Sequence, residues 1–152
     1  MSGPLFAFPL KDNTYRIIDG DTVEVLLDRG WRCTKLTSIR LIGLDTPECR
    51  TRRALEKQAG LLAKELVVCW FNSRKDKQHF YATSDAKPKY AGRTVGRIWA
   101  GDASDCLNDY MLNLKVAKPY MGGRKEKFTD EELNVVIEIC NKELERVKQL
   151  GA

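Results

Sequence analysis

A single histidine, His79, and five cysteines with no CxxC pair leave this 152-residue chain without the nitrogen and sulfur ligands of a zinc site. Cys33, Cys49, Cys69, Cys106 and Cys140 are odd in number and widely spaced, which fits free, mostly buried thiols in a reducing compartment better than a disulfide framework. No apolar run is long enough to span a bilayer, and residues 1–10 lack the basic start and extended apolar core of a signal peptide. A cytoplasmic location without a membrane partner is therefore expected. Charge of one sign is also scarce. The 26 basic and 21 acidic side chains leave +5, which favours a polyanionic partner without requiring one. With 43% apolar and 31% charged residues, the chain has the composition of a soluble globular protein, and its length suits one compact domain.

What is present concentrates in Ser38-Ile39-Arg40-Leu41-Ile42-Gly43-Leu44-Asp45-Thr46-Pro47-Glu48. The apolar, β-branched start reads as a strand, and the end reads as a turn carrying two carboxylates, a hydroxyl and a proline. Arg40 and Asp45 have opposite parity, so they face opposite sides of a regular strand and meet only if the strand bends, which Gly43 permits. Bent in that way, the segment offers a guanidinium for an anion and carboxylates for a cation, the parts of a metal-assisted phosphoryl-transfer site. Unbent, it is a strand ending in a solvated acidic turn.

Upstream, Tyr15-Arg16-Ile17-Ile18 and Thr22 to Leu27 read as strands around Asp19-Gly20-Asp21, and Asp28-Arg29-Gly30 reads as a turn into a long strand over residues 31–44. Asp21 shares parity with Val23, Val25 and Leu27, the face to be buried, and a carboxylate there is costly unless a cation or donors meet it. Residues 1–13, with Pro4, Pro9 and Asn13, are expected to form a loose or edge-packed arm, and residues 14–150 one domain. Downstream, Leu55, Ala59, Leu62, Ala63, Leu66 and Trp70 mark an amphipathic helix of roughly five turns. Beside its start, Arg50, Arg52, Arg53 and Lys57 form a basic cluster that can track a phosphate backbone or simply solvate the helix. Strands follow over residues 78–83 and 93–99, with Arg93 placed to reach across a barrel rim. A helix capped by Ser104-Asp105 and a last helix with a Thr129/Glu132 capping box complete the chain.

Five strands, a helix between the third and fourth, and two terminal helices predict an α+β fold, a five-stranded OB-type barrel with three packed α-helices. Ile18-Asp19-Gly20-Asp21-Thr22-Val23, Ile39-Arg40-Leu41 through Leu44-Asp45-Thr46-Pro47-Glu48, and Tyr90-Ala91-Gly92-Arg93 resemble, in order, the three signature segments of the staphylococcal nuclease family. The resemblance extends over roughly residues 14–148. It implies a monomeric Ca²⁺-dependent nuclease acting on DNA, RNA or both, in which Asp21, Asp45 and the main-chain carbonyl of Thr46 bind the metal and Asp19 assists through water. Glu48 is then the residue that orients or deprotonates the attacking water, with Arg40 and Arg93 on the scissile phosphate and Lys89, Tyr90, Lys118 and Tyr120 contacting substrate. Two departures bear on that expectation. Ala91 lengthens the loop before Arg93, and Lys118 stands where the family carries a nucleotide-contacting tyrosine; an ammonium can hold a phosphate but supplies no stacking face. A non-catalytic nucleic-acid- or protein-binding module on the same barrel is the alternative.

Overall fold

The computed structural model describes residues 6–84, 94–101, 104–120 and 123–150. Five strands, β1 (Phe6–Asp19), β2 (Thr22–Asp28), β3 (Thr34–Leu41), β5 (Phe80–Ser84) and β6 (Thr94–Ala100), close a barrel in the order β1-β2-β3-β6-β5. Two short strands, β4 (Gly43–Asp45) and β7 (Lys118–Tyr120), form a separate antiparallel pair. The helices are α1 (Ala54–Asn72), α2 (Leu107–Leu114) and α3 (Asp130–Gln149). The expected barrel and three helices are present. β3 and β6 run parallel, whereas the other barrel pairs are antiparallel.

Of residues 1–13, expected to form a loose or edge-packed arm, residues 1–5 lie outside the described residues and the rest belongs to β1. From Phe6 onward the chain is strand, with Phe6–Pro9 paired to Ser84–Tyr81 of β5 and the second half of β1 paired to β2, so this one strand closes the barrel. The join is hidden in the sequence by an irregularity between Leu10 and Tyr15, where Asp12 and Asn13 take φ of 52° and 50°. Asn13 holds it in place. Its amide donates to Lys75 O (3.1 Å) and Gln78 O (2.9 Å), and its Oδ1 accepts from Phe80 N at 3.0 Å.

The strand expected over residues 31–44 is divided. Trp31 and Arg32 belong to the β2–β3 turn, and the chain leaves the barrel after Leu41, with Gly43 at φ 88°. A left-handed glycine costs little and redirects the backbone sharply. The second expected helix also starts differently. Cys106 occupies the N-cap position without a side-chain bond, while Asp105 instead pairs with Arg74, Oδ2 to Nε at 2.6 Å. The Thr129/Glu132 capping box of α3 is formed in both directions, at 3.1 and 2.9 Å.

Val23, Val25, Ile39, Leu41 and Ile98 are buried in the barrel, and α1 covers it with Trp70 and Phe71. Tyr15 stacks on Phe71 at 4.1 Å between ring centroids, and Phe80 meets Phe71 edge-on at 4.7 Å. α3 packs against α1 and buries Leu133, Val136 and Cys140. Burial pushes the Cys140 thiol from 9.0 up to about 12; burial, then the charge of Glu143, pushes Tyr110 from 10.0 to about 12. Both groups hold their protons longer in the fold than in the unfolded chain. Their stabilising contribution is complete below pH 9.0 and declines as pH rises toward about 12. Urea unfolding across that window is expected to show falling stability, with a shallower fall in Cys140→Val.

Candidate active site

The bend at Gly43 brings Arg40 and Asp45 to the same side. Arg40 is 9% exposed; its Nη1 lies 3.1 Å from Asp21 Oδ2 and its Nη2 3.3 Å from Asp45 Oδ1. The same Nη1 donates to Leu44 O at 3.0 Å, which ties the guanidinium to the backbone beyond the bend. Asp21 arrives from β2's leading edge, next to the Thr22↔Arg40 pair of the β2–β3 ladder. Its carboxylate accepts from Thr46 N (3.1 Å) and Thr22 Oγ1 (3.0 Å). The turn before it fits because residue 20 is glycine: a Cβ there would lie 2.9 Å from Thr46 Oγ1 and 3.0 Å from Ala63 Cβ.

The charge balance of this cluster is uneven. Burial alone would raise Asp21, but the bond from Asp19, the Arg40 guanidinium and the Thr46 N–H together hold it below the usual carboxylate range. Asp19 is pushed up to about 7 by burial and by its bond to and repulsion from Asp21. Burial also raises Asp45; Lys125 and Arg40 oppose the shift, and Asp21 adds to it. Lys125 Nζ stands 3.5 Å from Asp45 Oδ1 and 3.9 Å from Glu48 Oε1, and Glu48 is half exposed. Four carboxylates thus meet two cationic groups among the described residues.

That donor set fits a hard cation in chemistry. It is all oxygen, it carries surplus negative charge, and beside it the buried Thr46 Oγ1 has no hydrogen-bond partner. It is not a closed cage: among the described residues no three histidine, cysteine, aspartate or glutamate side chains are grouped as a metal site. Two carboxylates and a main-chain carbonyl would leave most of a cation's coordination to water and substrate.

Glu48 is positioned by α1. Its N–H donates to Glu56 Oε2 at 3.2 Å. Gly60, buried in the helix, lets the turn come so close that an added Cβ would lie 2.4 Å from Glu48 O and 2.7 Å from Cys49 N. Alanine in place of glycine inside a helix ordinarily stabilises by about 1 kcal/mol. Gly60→Ala is expected to do the reverse, lowering the melting temperature and shifting the Glu48 turn. Thermal unfolding checks the fall in melting temperature. Asn108 of α2 secures the other side of the bend: wholly buried, it donates to Ile42 O (3.0 Å) and Gly96 O (3.2 Å) and accepts from Ile98 N.

Of the remaining site residues expected from sequence, Tyr120 is beside the cluster, with its ring 6.0 Å from Arg40 Cζ and its backbone paired with Gly43. Lys118 pairs in register with Asp45, but its ammonium is turned to Glu132 (2.9 Å) and the Phe128 ring. Lys89, Tyr90, Ala91 and Arg93 lie outside the described residues. Within the basic cluster, Arg53 donates to Phe128 O (2.6 Å) and pairs with Asp130, joining α1 to the start of α3, while Arg50, Arg52 and Lys57 remain exposed. Lys125, Gly60 and Asn108 escaped the sequence reading. Lys125 stands in a mixed charge run, Gly60 resembles a weak helix residue, and Asn108 lies on a helix with no motif.

No family model matches the chain. Among curated proteins, it is 29% identical over 136 residues to the thermonuclease of Staphylococcus intermedius, covering 90% of this chain and 71% of that protein. It is 27% identical over 154 residues to the thermonuclease of Staphylococcus hyicus, with 97% and 82% covered. The chain is thus similar to staphylococcal thermonucleases over 90% or more of its length. An uncharacterized endonuclease of Escherichia coli O157:H7 is 27% identical over 123 residues, 78% of this chain and 67% of its own. Two lysines border the cluster: Lys118 bonds Glu132 of the α3 capping box, and the Lys125 ammonium rests on Asp45 and Glu48.

Proposed function

We propose that the chain is a Ca²⁺-dependent nuclease that hydrolyses phosphodiester bonds of DNA, RNA or both. The observation that carries this is the buried Arg40 shared between Asp21 and Asp45, beside Glu48, in a cluster with more carboxylates than cations. The names of the thermonuclease relatives support it.

Asp21, Asp45 and the Thr46 carbonyl are the groups that would hold calcium, with Asp19 acting through water. When bound, the ion supplies a Lewis acid for the phosphate and charge neutralisation for the carboxylates. Glu48 faces solvent at the edge of the cluster, where a carboxylate can take the proton of an attacking water. Arg40 has five N–H donors, and those not committed to Asp21, Asp45 and Leu44 O can meet the equatorial oxygens as negative charge develops. Arg93 is proposed as the second guanidinium, and Lys89, Tyr90 and Tyr120 as substrate contacts. Lys118, held by Glu132, is expected to contribute little to base stacking. All these residues come from one chain, so a monomer suffices.

The test is incubation of the purified protein with single-stranded DNA, duplex DNA and RNA, each with Ca²⁺, with Mg²⁺ and with excess chelator. Cleavage in calcium that stops with chelator is expected. Salt-sensitive binding without cleavage in any metal would replace the nuclease with a binding module.

A further inference from the structure

The tip of the β2–β3 hairpin carries a feature that the catalytic cluster does not use. Trp31 is 100% exposed, whereas Trp70 is buried and Trp99 donates to Thr83 Oγ1 at 2.9 Å. Gly30, Trp31 and Arg32 take φ of 77°, 54° and 59°, three successive left-handed residues. The turn is closed by bonds from Arg29 N to Cys33 O and from Cys33 N to Gly30 O, both 2.8 Å, and from Gly30 N to Asp28 Oδ1 at 2.9 Å. A bulky side chain is strained in that conformation, where glycine would be relaxed, and strain of this kind collects at working sites. The result is an indole held clear of the protein on a hydrogen-bonded turn.

Around it, the exposed charges among the described residues are mainly basic. Arg29, Arg32 and Lys35 are exposed, and none has a carboxylate partner among the described residues. Asp28, the carboxylate next to Arg29 in the chain, is bound into the turn. A cavity of about 230 Å³ is lined by Leu27, Arg29 and Lys35 of the hairpin together with Phe8, Ala82 and Thr94. The Thr22↔Arg40 pair marks the active-site end of the β2–β3 ladder and Asp28↔Thr34 the hairpin end. At about 3.3 Å per residue, roughly 20 Å separates them.

We propose that this hairpin is a second contact for single-stranded nucleic acid, with Trp31 as a base-stacking face and Arg29, Arg32 and Lys35 on the backbone phosphates. The inference rests on the nuclease reading for the polymer's identity. An isolated ring among exposed cations that have no carboxylate partner among the described residues matches the alternation of base and phosphate; a protein or lipid surface would call for a contiguous apolar patch. Of the other exposed large apolar side chains, only Leu36 lies on this hairpin.

The test compares a strand of about 20 nucleotides, long enough to reach the hairpin, with a dinucleotide that is not. Binding of the long strand is measured in excess chelator, so that it stays intact. Trp31→Ala is expected to weaken it about five- to a hundredfold and Trp31→Phe much less. Changing Arg29, Arg32 and Lys35 to glutamine should flatten the salt dependence. Dinucleotide cleavage in calcium should be unchanged in every variant. Trp31→Gly is expected to be at least as stable to heat as the parent while losing the same affinity, which a merely structural role would not produce. Quenching of tryptophan emission by the long strand should vanish in Trp31→Phe.

Equal long-strand affinity in Trp31→Ala, with cleavage intact, overturns the hairpin contact and leaves the nuclease reading standing. Loss of affinity in that variant, from a wild type that binds but never cleaves, sinks the nuclease reading and keeps the contact. A wild type that neither binds nor cleaves ends both.

Discussion

Arg40→Ala is expected to lower the free energy of unfolding by about 3 to 5 kcal/mol and to abolish cleavage. The guanidinium is almost wholly enclosed and is the cation paired with Asp21 among the described residues, so its removal leaves two buried carboxylates facing each other across the space it filled. It also frees the Leu44 carbonyl, one of the ties that hold the bend. Urea unfolding of the metal-free protein measures the first effect, and cleavage in saturating calcium the second. Arg40→Lys separates charge from shape. One ammonium can face Asp21 or Asp45 but cannot span both and still reach Leu44 O, so it should recover part of the stability and little of the activity. Parental stability in Arg40→Ala would mean that the carboxylates are solvated in solution.

Glu48→Gln is expected to do the opposite: full stability with kcat lower by about a thousandfold, the middle of the range for losing a positioned acid or base. Glu48 is half exposed, and its backbone bond to Glu56 survives the change because the N–H, not the side chain, makes it. The amide keeps the size and loses the proton acceptor. Single-turnover cleavage, compared with thermal unfolding of the same preparations, shows whether the two properties separate. A drop of less than tenfold would assign water activation to another group.

The residues that could be read from sequence are those whose environment follows from local periodicity. Asp21's inward parity, the bend at Gly43 and the α3 capping box are all short-range patterns, and each is found where it was expected. β1 was not legible beyond Tyr15 because Asp12 and Asn13 interrupt the alternation, and the bonds that justify the interruption come from residues 75–80, far along the chain. β7 is three residues long and exists only as the partner of β4. Gly60 illustrates the same limit inside a helix: its value lies in the Glu48 and Cys49 backbone atoms that pack where a side chain would stand. Lys125 sits between Arg124 and Glu126, and nothing in that charge run distinguishes the one ammonium that crosses to Asp45. Long-range placement is decided by the fold as a whole, which is why the motifs were legible and their supports were not.

Calorimetric titration of calcium into the metal-free protein, with Asp45→Asn alongside, tests the central claim most directly: that the carboxylates around Arg40 form a cation site. One saturable site is predicted in the wild type, weakened at least tenfold in Asp45→Asn, because one of two charged ligands is lost while Arg40 keeps its pairing with Asp21. No binding in the wild type, or equal binding by both proteins, would contradict it.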